Sequence, residues 1–194
     1  MSELSDFTVD FLIQNGIDPN NEVSLVTALT GQEKLLVHFA VVRLMDKGTL
    51  FSLPALKKAL HYPASDVKIS ALHAIAKIAK DGEQETYLAA LNDPKYPEKM
   101  TAISQIEKFN DVRAVPSVIE RLRKILSRKR LRVYFDGHES EVTLAVKYLA
   151  QFKTGENADL IRKTYAMIQE KWPNLELLEQ QRLVESHPEF RPVK

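Results

Sequence analysis

The amino-acid sequence predicts an all-α fold, an α-α superhelix of about five helical hairpins. Apolar residues recur at helical spacing along most of the chain, and no segment alternates between apolar and polar residues over the length of a strand. The pattern repeats every 31 residues. Because one hairpin cannot bury its apolar face alone, this repeat predicts that neighbouring hairpins stack around a continuous core.

The repeat is clearest in the first helix of each hairpin, where a small residue recurs. It is alanine in four units, the last of them after a longer step of 43 residues: Ala40, Ala71, Ala102 and Ala145. One further step back from Ala40 and Leu44 places Val9 and Ile13 at the core positions of a first unit. A small side chain lets two helices cross near the lower end of the usual ~8–10 Å separation. We therefore expect the four alanines to be buried where the helices of a hairpin cross.

The second helices follow the same period, with leucine at positions 29, 60, 91 and 122. We predict first helices at about 5–15, 33–47, 65–80, 96–109 and 139–152, second helices at about 22–30, 52–61, 84–92, 112–127 and 157–171, and a final helix at about 174–185. The chain is predicted to be one helical repeat domain, 1–194, with a basic insertion at about 124–137 and a polar C-terminal tail at 186–194.

Three short motifs within the repeat carry a resemblance to a known family. Residues 66–76 read Asp-Val-Lys-x-x-Ala-Leu-x-Ala-Ile-Ala, residues 88–94 read Leu-x-x-Leu-x-Asp-Pro, and residues 111–122 open with Asp-Val-Arg-Ala-Val-Pro. These motifs resemble the HEAT-repeat superfamily, particularly its short, bilin-lyase-type variety, over about residues 5–171. The resemblance implies an armadillo-like solenoid. It leaves function open, because family members serve as scaffolds, adaptors, lyase subunits or, rarely, enzymes.

Charge is unevenly distributed although the net charge is only +1. Residues 1–33 contain six acids and no lysine or arginine, whereas residues 121–132 contain seven bases and no acid. The bases and a following aromatic residue are the candidate partner-binding residues: Arg121, Arg123, Lys124, Arg128, Lys129, Arg130, Arg132 and Tyr134. Clustered cations attract phosphates, and an aromatic ring beside them can stack on a base. Two interpretations without a partner remain open: the bases form a solvated helix face, or they pair within the chain with Asp136, Glu139 and Glu141.

Several classes of site are not indicated. Without cysteine there is no disulfide frame or thiolate chemistry. No Gly-rich phosphate loop or nucleophile elbow is present, and no serine has a positioned histidine and acid. HEAT-like iron enzymes use several His-Glu pairs, and this chain has one, His138-Glu139. We therefore predict no catalytic residue, no metal site and no cofactor. The N-terminal residues lack a secretory signal and no apolar run reaches membrane-spanning length, so we expect a cytoplasmic protein without membrane contact.

These observations favour a non-catalytic protein-protein interaction or scaffold module that presents a helical-repeat surface to a protein partner. In such a stack the second helices line the concave face, whose exposed positions would include Lys57, Lys58, His61, Arg121 and Lys124. One alternative is nucleic-acid binding through the basic segment 121–135. Another is an enzyme subunit of the bilin-lyase kind, which predicts a deep pocket with convergent polar groups.

Overall fold

The computed structural model describes residues 2–80, 82–128 and 140–190, with side chains from residue 7 onward. Within these ranges the chain is all-helical and contains no strand, so the predicted fold class is confirmed at that level. The helices are α1 (Ser2–Gln14), α2 (Glu22–Ala28), α3 (Lys34–Lys47), α4 (Leu53–Ala59), α5 (Ser65–Ala79), α6 (Gln84–Asn92), α7 (Met100–Phe109), α8 (Val115–Leu126), α9 (Glu141–Ala150), α10 (Ala158–Glu170) and α11 (Leu177–Ser186). Short 3-10 turns occur at Leu50–Ser52, Val112–Ala114, Trp172–Asn174 and Pro188–Phe190.

The observed helices lie within a few residues of the predicted ones, and the largest difference is the start of α7. This helix begins at Met100 rather than near residue 96. The preceding segment is held as a turn, because the buried Lys99 ammonium donates to the backbone carbonyls of Ala90, at 2.7 Å, and Asp93. Tyr96 is also buried, and its hydroxyl donates to the carbonyl of Lys68 at 3.1 Å.

The helices fall into two compact units, residues 1–101 and 102–194. In the first unit α1, α2 and α5 each pack against α3, and α4 packs against α5. Its core is aliphatic and includes the fully buried residues Leu25, Val37, Leu44, Leu56 and Ile75. Ala40 and Ala71 are buried in this core as predicted.

Successive first helices of this unit touch mostly through residues that are 28 or 32 positions apart, and Asp46 pairs with Lys77 at a separation of 31. The pairs are Phe7 with Phe39, Phe11 with Phe39, Lys34 with Asp66, His38 with Ser70, and His73 with Thr101. The separations 28 and 32 differ by about one helical turn, so one residue fits between two members of an i, i+4 row on the neighbouring helix. Phe39, for example, lies between Phe7 and Phe11.

In the second unit α8 packs against α9 and α10, and α11 packs against α9. Ala102 and Ala145 are buried, as predicted. Glu107 on α7 accepts a hydrogen bond from Gln151 at 3.2 Å and lies 3.9 Å from the Lys147 ammonium. These partners are 44 and 40 positions away, one above and three below the longer step of 43. In the first unit, the separations of 32 and 28 residues are likewise one above and three below the period of 31.

The segment that precedes a second helix also has the same local structure in both units. Thr49 and Asp111, two periods apart, each accept a hydrogen bond from the backbone N–H two residues later and open a 3-10 turn. Pro54 and Pro116 follow in the first turns of α4 and α8, where no N–H is needed. The sequence repeat therefore corresponds to a repeated turn geometry.

The first unit departs from the predicted alignment at its N-terminal helix. Ile13 was expected in the core, but 58% of its side chain is exposed, whereas Leu12 is fully buried. The buried face of α1 is therefore rotated by one residue from the position predicted by the 31-residue step. Phe7 and Phe11 on one flank and Ile13 on the other border this buried face.

The C-terminal segment predicted as a polar tail contains a docked aromatic residue. Phe190 is buried, with its ring stacked 6.2 Å from that of Trp172 and 4.9 Å from that of Tyr165. Residues 191–194 lie outside the described residues. None of the helices in the described part of the chain combines the length and apolar character that a bilayer span requires.

Candidate functional site

The predicted basic segment begins on α8, and its first arginine is used inside the protein. The Arg121 guanidinium donates to both carboxylate oxygens of Glu141 on α9, at 2.9 and 2.8 Å. The two side chains are only 22% and 8% exposed. This is the intramolecular pairing that the sequence left open for Glu141, and it links α8 to α9 rather than presenting Arg121 to a partner.

The other described bases of the segment are exposed: Arg123 and Lys124 on the outer face of α8, and Arg128 two residues after its end. This helix is amphipathic, with Val118, Ile119, Leu122, Ile125 and Leu126 buried, so the intervening positions face solvent. Lys124 pairs with Glu120 at 2.6 Å, and both side chains are exposed. Arg123 and Arg128 are exposed and have no ion-pair partner among the described residues.

The remainder of the predicted basic segment follows Arg128, the last described residue after α8. Lys129, Arg130, Arg132 and Tyr134 lie outside the described residues, as do His138, Glu139 and most of the predicted insertion. On the second helices of the first unit, Lys57 and Lys58 are exposed as predicted, but Lys57 pairs with Glu83 at 2.7 Å. Several of the described cations on the predicted surface are therefore already paired with acidic residues of the same chain.

A second carboxylate of this unit is buried at the start of α9. Ser140 caps α9 by accepting a hydrogen bond from the backbone N–H of Thr143, and its hydroxyl donates to the carboxylate of Glu179 on α11. Burial raises the pKa of Glu179 above its usual value, an effect that the Ser140 hydrogen bond only partly offsets. Together with the Arg121–Glu141 pair, this contact fixes the N-terminus of α9 between α8 and α11.

An exposed surface that includes aromatic rings lies elsewhere, on the first helices α1 and α3 of the first unit. It consists of Phe7 and Phe11 on α1 and Leu35 and Phe39 on α3, and is called the aromatic patch below. The ring centroids of Phe7 and Phe11 lie 5.8 and 5.2 Å from that of Phe39, both in edge-to-face geometry. Phe7 is 59% exposed and Leu35 is 41% exposed. Contiguous apolar surface of this kind commonly marks an interaction site.

Sequence reasoning missed the aromatic patch because its residues have the spacing expected of a core. Phe7 and Phe11, and likewise Leu35 and Phe39, are i, i+4 pairs that a periodicity count assigns to a buried face. One signal was available: these residues do not coincide with the repeated core positions of 40, 44, 71 and 75. Apolar residues beyond the repeat's core are candidates for an external surface.

Two acidic residues lie close in sequence to the residues of the aromatic patch. Asp10 lies on α1 one turn after Phe7, and Glu33 immediately precedes α3, two residues before Leu35. Both are exposed, and neither forms an ion pair with a described residue. The nearest base in the sequence, Lys34, is held by Asp66 at 2.8 Å. Two exposed carboxylates therefore lie near the patch, whereas Arg43, one turn after Phe39 on α3, is held by the Pro19 carbonyl and the Asn20 side chain.

His38, beside the aromatic patch, brings together a serine and an acid that the sequence did not connect. Its Nε2 lies 3.0 Å from the Ser70 hydroxyl, and its Nδ1 lies 3.9 Å from a carboxylate oxygen of Asp66. The order resembles a catalytic triad, but 3.9 Å exceeds hydrogen-bond range and Asp66 is already bound to Lys34. His73 makes the same kind of contact with Thr101, at 2.6 Å. These histidines therefore join neighbouring helices.

Two shallow depressions are present in the described part of the chain. One, of about 390 Å³, adjoins the other flank of α1 and is lined by Val9, Ile13, Ile17 and the turn that follows. The other, of about 240 Å³, lies in the second unit between Lys153, Tyr165 and Glu189. Lys153 pairs with Glu189 there, so its charge is already compensated.

No group of three or more potential metal ligands occurs among residues 7–80, 82–128 and 140–190. No protein-family model matches the chain, and none of the curated proteins compared with it matches either.

Proposed function

We propose that this chain is a non-catalytic protein-binding module in which HEAT-like helical hairpins stack into a superhelix. The observation that carries the proposal is the aromatic patch, where two first helices leave Phe7 and Leu35 exposed over the packed rings of Phe11 and Phe39. Phe7 and Phe11 both contact Phe39, and Leu35 lies one turn before Phe39 on α3, so a partner could cover these apolar residues together.

The stacked arrangement is supported by the contact register within each unit. First helices of the first unit meet at separations of 28 and 32, and α7 and α9 meet at 40 and 44. A register that follows the sequence step is expected when each hairpin contacts the next in the same way. Stacking also explains why partner-binding residues would lie on rigid helices, which lowers the ordering cost of association.

The energetics favour the aromatic patch over the basic face as the main source of affinity. Removing an exposed Phe or Leu side chain from water contributes up to ~1.5–3 kcal/mol each. One exposed ion pair contributes roughly 0–1 kcal/mol, which is about one-third of the contribution of one such apolar side chain. Of the basic face, Arg121 is internal and Lys124 is already paired.

Capture from native lysate with matched variants tests the proposal. The double variant Phe7→Ser/Leu35→Ser removes the two most exposed residues of the aromatic patch. The matched control Leu177→Ser/Leu178→Ser removes two leucines of α11 that are 70% and 50% exposed. We expect a reproducible partner that wild type and the α11 control retain and the patch variant loses. Equal capture by all three proteins, or none by any across salt conditions, would contradict the proposal.

Nucleic-acid binding is the second candidate, favoured by the exposure of Arg123 on α8 and of Arg128 just after this helix. Their reversal to glutamate, in the variant Arg123→Glu/Arg128→Glu, should abolish salt-dependent binding to a single-stranded oligonucleotide if this function holds, because phosphate contacts release counterions. Weak binding that is the same for wild type and variant would eliminate the candidate.

A further inference from the structure

We infer that the partner segment received by the aromatic patch is a basic amphipathic α-helix. The inference rests on the proposed function and specifies the chemistry of the partner at that site. It combines three features of the first unit: the two rows of apolar residues, the acids that border them, and the charges already neutralised by ion pairs.

The arrangement of the patch suits a helix. Phe7 and Phe11 form an i, i+4 row on α1, and Leu35 and Phe39 form a second row on α3, which packs against α1. Rows of this spacing are the ridges that interdigitate when helices pack. A third helix with apolar residues at i, i+4 and i+7 can place its own ridge between the two rows, as amphipathic helices do in apolar grooves.

The charge around the patch selects a basic partner. Asp10 and Glu33 are exposed at its border without an ion-pair partner among the described residues, and residues 1–33 contain no lysine or arginine. The adjacent Lys34 is bound by Asp66 at 2.8 Å and therefore presents little free positive charge. Lysines or arginines that flank the apolar stripe of a bound helix would complement this border.

The same charges disfavour a symmetric dimer. In a two-fold interface each copy presents the same surface, so a patch-to-patch dimer would bring the Asp10 and Glu33 carboxylates of both copies together. Like charges facing each other across an interface oppose association. A partner of opposite charge is therefore the better occupant.

Titration with designed peptides tests the inference directly. The probe is a peptide of about 20 residues, long enough to be helical in water, with a leucine stripe at i, i+4 and i+7 flanked by lysines. The second peptide has the same stripe with glutamates in place of the lysines, and the third is a scramble of the first that keeps its composition but loses the stripe. Fluorescence anisotropy measures each affinity for the full chain.

We expect the basic amphipathic peptide to bind at least about tenfold more tightly than either comparison peptide. Phe7→Ser/Leu35→Ser should lower its affinity about tenfold or more, since two apolar contacts are lost. Leu177→Ser/Leu178→Ser should have no effect. Asp10→Lys should weaken the basic peptide and strengthen the acidic one, whereas Glu156→Lys, at an exposed position of the second unit, should change neither.

Several results would overturn the inference. Equal binding of the basic and acidic peptides would show that the patch does not select a basic partner. Binding of the scrambled peptide as tight as that of the basic amphipathic peptide would show that the patch does not require an amphipathic helix. A dimer that forms with increasing concentration in sedimentation and is lost in Phe7→Ser/Leu35→Ser would assign the patch to a second copy. If lysate capture still depends on the patch while all three peptides fail, the inference is wrong and the proposed function stands.

Discussion

The two units of the molecule differ in where they place the ion pairs between their helices and in where they expose apolar surface. The first unit buries an aliphatic core, keeps its interhelical ion pairs at the surface, and exposes the aromatic patch. The second unit buries charge, with Arg121 and Glu141 joined between α8 and α9 and Glu179 held by Ser140. It exposes cations on α8 instead. The ion pairs between helices therefore lie at the surface in the first unit, whereas the Arg121–Glu141 pair of the second unit is largely buried.

This difference shows that a charge run in a sequence does not reveal which charges are free. The basic segment is the most conspicuous feature of the sequence, yet its first arginine is half of an internal ion pair. The acidic N-terminal region instead contributes Phe7 and Phe11 to the aromatic patch, the surface on which the proposed function rests. The following predictions probe this contrast, from the largest expected effect to the smallest.

Arg121→Ala should be the most destabilising of these substitutions, by about 2–3 kcal/mol, because it leaves the Glu141 carboxylate buried without its partner. Arg123→Ala, at an exposed position of the same helix, should change the free energy of unfolding by less than about 0.5 kcal/mol. Urea denaturation of the two variants measures the difference. Similar values for both would show that the Arg121–Glu141 pair does not hold α8 against α9.

Ala71→Leu in the first unit and Ala145→Leu in the second should each destabilise by about 1–3 kcal/mol, because both alanines are buried and a larger side chain overpacks the core. The two units differ at their surfaces, but this result would show that they obey the same packing rule. Thermal unfolding followed by circular dichroism provides the measurement. A variant as stable as wild type would indicate spare room at that alanine.

Glu179→Gln should alter the pH dependence of stability, because the Glu179 carboxylate on α11 is buried against Ser140 at the N-terminus of α9. Burial raises the folded-state pKa of Glu179 above its ordinary value of 4.5, so ionisation destabilises the folded state. This destabilisation is absent at pH values below the ordinary pKa of Glu179 and complete at pH values above its raised folded-state pKa. The glutamine variant should therefore exceed wild type in melting temperature near neutral pH and match it at acid pH. The opposite trend would mean that the ionised carboxylate is stabilising.

Lys34→Ala should have the smallest effect on stability, about 0.5 kcal/mol or less, because its pair with Asp66 is exposed. Its hydrogen bond holds the pKa of Asp66 below the ordinary value, so the pKa of Asp66 should rise in the variant. Titration of the Asp66 carboxyl by NMR measures this shift. An unchanged pKa would show that the ion pair does not persist in solution.

Much of the fold was predictable because it depends on local periodicity. The 31-residue step, with one longer step of 43, located the helices and identified Ala40, Ala71, Ala102 and Ala145 as buried. The step failed on α1, where the buried residue is Leu12 rather than Ile13. A helix with a neighbour on only one side needs to bury a narrower face, so its apolar residues do not reveal which of them are covered.

The surfaces were less predictable because they depend on residues far apart in the sequence. Glu141 reaches Arg121 across 20 residues, and Glu179 reaches Ser140 across 39. The aromatic patch likewise forms only when α1 and α3 come together. Periodicity assigns a residue to a helix face, but it does not say whether another helix covers that face.

Amide hydrogen exchange of the chain, alone and bound to the protein it captures, tests most directly whether the partner is received by the aromatic patch. The account predicts slower exchange on binding in Ser2–Gln14 and Lys34–Lys47, with little change in Val115–Leu126. Slowing confined to Val115–Leu126, with α1 and α3 unaffected, would contradict it and place the partner on the basic face.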